Sequence, residues 1–184
     1  IGEIINEVKK DKINGINVTI PFKKSIIPFL DQLTTQAKEA QSVNTIYKRD
    51  NKVFGDNTDI GGFEKSLKHI NYNVQNKRVF ILGAGGVTSS IIIALKKLGV
   101  NKIILANRTK KKAEDLKKIF SDLEVLNWGE NTNFDMIINA TSLGLKKSDI
   151  IKIDFNKVGS NKLFYDLIYN PSKTNFLFEG EKLG

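Results

Sequence analysis

The apolar run Val79 to Leu82 passes directly into Gly83-Ala84-Gly85-Gly86, and that turn into the amphipathic stretch Val87 to Leu98. A strand, a glycine-rich turn and a helix in that order open a βαβ unit, because parallel strands can be joined only by a long crossover. The pattern then continues. Lys102 to Ala106 reads as a strand, Ala113 to Phe120 as a helix, and Glu124 to Leu126, Met136 to Asn139 and Leu163 to Asp166 as strands. Such alternation predicts a parallel sheet with helices on both faces.

Upstream the pattern is less regular. Ile16 to Ile20 reads as a short strand, with Pro21 placed for the first position of a helix and a strand-to-helix junction expected near Lys23. Thr34 to Gln41 suits a helix capped by Thr34 or Thr35, and Val43 to Tyr47 with Lys52 to Phe54 suits two strands around the turn at 48–51. Apolar residues at 60, 63, 67 and 70 predict a helix over Ile60 to Ile70, capped by Asn57, Thr58 or Asp59, that bridges two domains. The fold class expected is α/β in two domains: a small α/β domain over residues 1–60, and a Rossmann-like nucleotide-binding domain with a parallel sheet over 61–184.

Composition removes several functions. Among 184 residues there is no cysteine and one histidine, His69, which leaves neither thiolate chemistry nor material for a histidine-rich metal site; no metal is expected. Apolar runs such as Ile91 to Leu95 fall far short of the roughly 20 residues a membrane span requires, and no signal-peptide pattern opens the sequence, so the default location is cytoplasmic. The formal charge of +9 admits an anionic partner, but the lysines are scattered rather than striped and no aromatic-interleaved basic motif is visible. No nucleic-acid partner is expected.

The glycine-rich turn departs from G-x-G-x-x-G in having Thr88 where the third glycine belongs. Taken alone it could serve in any α/β protein. In its strand and helix context it reads as a dinucleotide turn, with a helix N-terminus behind it for a pyrophosphate. The next strand ends in Ala106-Asn107-Arg108-Thr109, followed by Lys110, Lys111 and Lys112. An acid usually stands here to bond the ribose hydroxyls of NAD; its absence, with a guanidinium in its place, points to the extra phosphate of NADP. Lys23 and Asp59 are candidates for proton transfer in carbonyl reduction. Spacing alone does not separate them from a surface lysine and a helix-capping aspartate.

Read in order, Asn17-Val18-Thr19-Ile20-Pro21-Phe22-Lys23, Ser42-Val43-Asn44-Thr45, Gly55-Asp56-Asn57-Thr58-Asp59, Gly83 to Gly86, Asn107-Arg108-Thr109, Ala140-Thr141-Ser142-Leu143-Gly144 and Tyr165 to Pro171 resemble the successive signatures of the shikimate dehydrogenase family. The resemblance covers essentially the whole sequence. It implies that Lys23 and Asp59 are the catalytic pair, that Thr19, Asn44, Thr58 and Tyr169 bind substrate, and that Gly83, Ala84, Gly85, Gly86, Val87, Asn107, Arg108, Thr109, Lys112, Thr141 and Leu167 surround NADP. The implied reaction is reversible NADPH-dependent reduction of 3-dehydroshikimate to shikimate, in a monomer or homodimer, with the active site in a cleft between the domains. A quinate/shikimate dehydrogenase with relaxed cofactor use and a non-catalytic NADP-binding module are the alternatives. The family's N-terminal serine-containing loop and its final helix with a substrate-binding glutamine have no counterpart in these residues, and residue 1 is Ile. The expectation is therefore of a fragment that binds NADP and turns over shikimate poorly.

Overall fold

The computed structural model describes residues 1–155 and 158–183; of the expected second domain, 156, 157 and 184 lie outside the described residues. The chain forms two compact units, Ile1–Asn73 with Ser89–Lys97, and Val74–Thr88 with everything from Leu98 onward. The chain first changes unit at Asn73/Val74, and the helix expected to bridge the domains lies within the first unit.

In the first unit the order is α1 (Gly2–Lys9), β1 (Gly15–Asn17), β2 (Gln32–Leu33), α2 (Thr35–Ala40), β3 (Thr45–Arg49), β4 (Lys52–Asp56) and α3 (Asp59–His69). The sheet runs β1-β3-β4-β2, with β3 antiparallel to both β1 and β4, and β2 parallel to β4. The hairpin between β3 and β4 turns on Asp50 and Asn51, both at positive φ (49° and 58°), the pairing of two left-handed residues that matches strand twist. Thr34 caps α2 by accepting a bond from Ala37 N–H. Ile5 and Val8 of α1 pack with Val43, Ile46 and Val53 of the sheet region in one apolar cluster. The i, i+3 spacing of those two residues was the available sign of α1.

No helix begins at Pro21. Residues 20–26 form consecutive turns that end in a short 3-10 segment, Ile27–Phe29. A helix through Lys23 would require its carbonyl to accept from Ile27 N–H, but that carbonyl accepts from Val43 N–H at 2.8 Å, and Ile27 N–H bonds Lys24 O instead. The loop is tied to the segment before β3, and Pro28, which lacks an N–H, limits any helix beyond it. The strand before it is also shorter than expected, ending at Asn17.

In the second unit β5 (Arg78–Leu82), β6 (Lys102–Ala106), β7 (Glu124–Leu126), β8 (Met136–Asn139) and β9 (Leu163–Asp166) form a sheet in the order β7-β6-β5-β8-β9, parallel throughout. Helix α5 (Lys110–Ile119) follows β6 and α6 (Asn175–Lys182) follows β9; α4 (Thr88–Lys97), which follows β5 along the chain, belongs from Ser89 onward to the first unit. β5, β6 and β8 are apolar and almost wholly buried, as strands covered on both faces must be. Aromatic side chains Phe80, Phe134, Phe155 and Phe176 anchor the core on one side. Strand order reverses at β5, whose neighbours on its two sides are β6 and β8. In an open parallel sheet the ligand crevice lies beyond the carboxyl ends of strands at such a reversal.

Candidate functional site

The first unit gathers four residues from three segments into one bonded cluster. Lys23 comes from the turn region held by Val43, Asn44 from the approach to β3, and Thr58 and Asp59 from the junction of β4 with α3. Lys23 Nζ donates to Asp59 Oδ2 at 2.6 Å, with side chains 13% and 21% exposed, so the ion pair is largely but not wholly withdrawn from water. Asn44 Nδ2 donates to Asp59 Oδ1 at 2.9 Å and to Thr58 Oγ1 at 2.9 Å, while its Oδ1 accepts from Thr58 N–H at 2.9 Å. Both oxygens of Asp59 are therefore engaged, and its position is fixed from two directions. Lys23 Nζ carries three N–H donors and spends one here.

Behind the cluster stands Asn57, 2% exposed, which donates to Ser42 O and to Ser90 Oγ, both at 2.9 Å, and accepts from Ile60 N–H at 3.3 Å. It caps α3; the Thr58 side chain does not. Thr19 is exposed four residues before Lys23, and its carbonyl accepts from Phe22 N–H at 2.9 Å. Its hydroxyl makes no bond among the described residues.

In the second unit every residue expected around a nucleotide stands at the carboxyl edge of the parallel sheet: Gly83 to Val87 after β5, Asn107 to Thr109 and Lys112 after β6, Thr141 after β8, and Leu167 after β9. Gly83 has φ of 108°, and a Cβ there would lie 2.7 Å from Ala140 O, so only glycine fits. Thr88 is fully buried; its hydroxyl accepts from Gly85 N–H and donates to Gly83 O, both at 3.0 Å. The residue that breaks the glycine pattern thus closes the turn. Asn107 Oδ1 accepts from Ala84 N–H at 3.0 Å and its Nδ2 donates to Thr109 O at 2.8 Å, so this side chain braces the two turns against each other.

The basic cluster divides into partnered and unpartnered members. Lys110 Nζ bonds Asn127 Oδ1 and Lys111 pairs with Asp115. Arg108 and Lys112 are exposed and make no side-chain bond or ion pair among the described residues. No carboxylate ends β6. Two uncompensated cations at a helix N-terminus, with no acid beside them, suit a phosphate monoester, and the residues present fit NADP better than NAD.

Tyr169, the fourth residue expected to bind substrate, stands in the loop after β9 and is 91% exposed. Three residues were not anticipated for this edge. Thr88 was signalled by the departure from G-x-G-x-x-G, and Asn139 and Asp166 by their place as the single polar residues closing apolar strands. Among the described residues there is no group of three or more potential metal ligands and no helix long and apolar enough to cross a membrane.

Two family models match the chain: the shikimate dehydrogenase substrate binding domain over residues 1–46, and shikimate / quinate 5-dehydrogenase over residues 65–167. A shikimate dehydrogenase (NADP(+)) of Pelagibacter ubique is 59% identical over 184 residues, which cover 100% of this chain and 69% of that protein. The crystal structure of shikimate dehydrogenase from Aquifex aeolicus superposes with a TM-score of 0.91 at 39% identity, covering 100% of this chain and 68% of the other. The enzyme of Thermus thermophilus, solved in complex with NADP(H) and shikimate, has a TM-score of 0.90 at 28% identity, covering 100% and 69%.

Proposed function

The chain belongs to the shikimate dehydrogenase family, and from that premise we propose that it serves the NADP-dependent interconversion of 3-dehydroshikimate and shikimate, a step of aromatic biosynthesis. The observation that carries the residue assignment is the cluster of Lys23, Asn44, Thr58 and Asp59, far apart in sequence and joined by hydrogen bonds of 2.6 to 2.9 Å.

NADP(H), held by the glycine-rich turn and by Arg108 and Lys112, supplies the hydride donor or acceptor for a carbinol and carbonyl pair. The chain's own residues manage the proton and the ring. In the reducing direction the C3 carbonyl oxygen accepts a hydrogen bond from a remaining N–H of Lys23. As negative charge grows on that oxygen, the ammonium proton moves to it, giving the hydroxyl and leaving a neutral amine. Asp59 aligns Nζ through Oδ2, and Asn44 holds Asp59 in place. Oxidation reverses the proton, with the neutral lysine as base. Thr19, Asn44 and Thr58 are assigned to the substrate's hydroxyl groups, and Tyr169 to the lining of its pocket. By this division, the first unit supplies the proton-transfer pair and every proposed substrate ligand except Tyr169, and the second holds NADP.

The family model also names quinate, whose ring carries a corresponding secondary hydroxyl. The test is spectrophotometric: NADPH absorbance is followed with 3-dehydroshikimate, and NADP and NAD are each offered with shikimate and with quinate. Consumption of NADPH with formation of shikimate is expected in a longer protein that carries this sequence with the flanking segments present in its relatives. NADPH binding with no oxidation by 3-dehydroshikimate in that protein, known to be folded, would leave only the non-catalytic reading.

A further inference from the structure

The edge of the second unit contains a polar chain to which the reading above gives no role. Asn139 is 0% exposed at the end of β8, where the other residues are apolar. Its Oδ1 accepts from Thr141 N–H at 3.0 Å and from Thr141 Oγ1 at 2.7 Å. Its Nδ2 donates to Leu143 O at 2.9 Å and to Asp166 Oδ1 at 3.0 Å. The side chain is thus satisfied on every side, as a buried amide must be to avoid a desolvation cost. Asp166, at the end of β9, also accepts from Ile168 N–H at 2.9 Å through Oδ1 and from Thr174 Oγ1 at 2.6 Å through Oδ2. Thr174 is 3% exposed and caps α6. Two backbone approaches close the arrangement. Gly83 of the glycine-rich turn lies against Ala140 O, and a Cβ on Gly144 would stand 3.0 Å from Thr174 Cγ2.

We infer that Asn139, Asp166 and Thr174 are positioning residues for the cofactor: they lock the loops after β8 and β9 to each other and to the cap of α6, and so set Thr141 and Leu167. The inference rests on the NADP reading above. Its physical basis is that these loops lie beyond the last strand hydrogen bonds, Ala140 N–H to Leu82 O and Leu167 N–H to Asn139 O, and have no ladder to hold them. Asn139 fixes the first loop locally, Asp166 the second, and the Nδ2 to Oδ1 bond makes one conformation conditional on the other. Arg108 and Lys112 stand two strands from β8 across the sheet, after β6 and in α5, and make no side-chain hydrogen bond or ion pair among the described residues. Loss of the lock is therefore expected to weaken the part of NADPH near β8 and β9 while sparing its 2′-phosphate end.

Two probes make the distinction: NADPH, and adenosine 2′,5′-bisphosphate, which carries only the adenine end. Both are titrated calorimetrically into the unsubstituted protein and into Asp166→Ala, Asp166→Asn and Thr174→Val, each checked for its unfolding midpoint. Asp166→Ala is expected to raise the NADPH dissociation constant about tenfold, and Thr174→Val about threefold, the scale of one or two lost hydrogen bonds. Asp166→Asn keeps an oxygen for Asn139 and Ile168 and is expected within about twofold of the unsubstituted protein. The bisphosphate should bind all four proteins alike. Equal NADPH affinity in the unsubstituted protein and in Thr174→Val, or parallel loss of both probes, overturns the inference; Thr174→Val decides the matter if Asp166→Ala does not fold. Failure of the unsubstituted protein to bind either probe overturns the NADP reading itself, and this inference with it.

Discussion

At the candidate site of the first unit charge is met by charge, whereas at the nucleotide edge of the second two cations, Arg108 and Lys112, are left unmatched among the described residues. Lys23 is paired with Asp59 at 2.6 Å and Asn44 fixes the acid, so the group proposed to transfer the proton is organised before any substrate arrives. Arg108 and Lys112, by contrast, have no partner among the described residues, and the polar side chains nearby, Thr88 and Asn107, are spent on bracing backbone turns. The difference follows from the chemistry asked of each. Proton transfer needs one geometry held in advance. Selection of a phosphate needs positive charge that nothing else neutralises, so the ligand itself completes the site.

The comparison can be broken at several points. The largest effect is expected from Lys23→Ala, which should lower turnover by about 10² to 10⁴-fold while the unfolding midpoint and NADPH affinity stay near their original values, because the group serves proton transfer. Turnover unchanged in a folded variant would remove Lys23 from the catalytic role. Next is Arg108→Ala: losing a charge-assisted bond to the 2′-phosphate, worth about 1.5 to 3 kcal/mol, should reduce NADP affinity by about one to two decades and leave NAD affinity unchanged. An equal loss for both cofactors would show that Arg108 shapes the turn instead of reading the phosphate. Thr88→Val removes the hydroxyl and keeps the shape; a loss of about three- to tenfold is expected for NADP and NAD alike, since a brace does not discriminate. A change in the ratio of the two affinities would contradict the division between bracing and charge.

The smallest effect concerns acid. Hydrogen bonds from Lys146 N–H and Gly144 N–H hold the Asp149 carboxyl below its ordinary value of 3.8. A carboxyl lowered on folding contributes stability that is fully present above the unfolded value and is lost as pH falls through the folded one. Asp149→Asn should therefore flatten the dependence of the unfolding midpoint on pH below 3.8 and hardly alter it at neutral pH. An unchanged acid limb would show that the loop's two N–H bonds carry no weight in stability.

The two units also differ in how much of them could be read from residues alone. Strands covered on both faces are short unbroken apolar runs, so Val79 to Leu82, Lys102 to Ala106 and Met136 to Asn139 match β5, β6 and β8 closely. The first unit lacks that regularity. Whether Pro21 opens a helix depends on where the carbonyl of Lys23 bonds, and its partner, Val43, lies 20 residues along the chain, beyond any local pattern. The helices α1 and α6 are 8 residues each, too short for periodicity to separate them from loop. The glycine-rich turn and the missing acid after β6 carry a physical reason in their own residues. Lys23 and Asp59 do not, and it was the ordered resemblance to a family that singled them out. Asn139, buried, and Asp166, half-buried, were overlooked because a polar residue at a strand end declares its role only through the groups that it bonds.

The central claim about the second unit, that unmatched positive charge selects the extra phosphate of NADP, is tested most directly by calorimetric titration of the protein with NADPH and NADH at one ionic strength. The two cofactors differ only in the 2′-phosphate. NADPH is expected to bind tighter by at least about tenfold, the scale of a single charge-assisted hydrogen bond, and equal affinities for the two would contradict the claim.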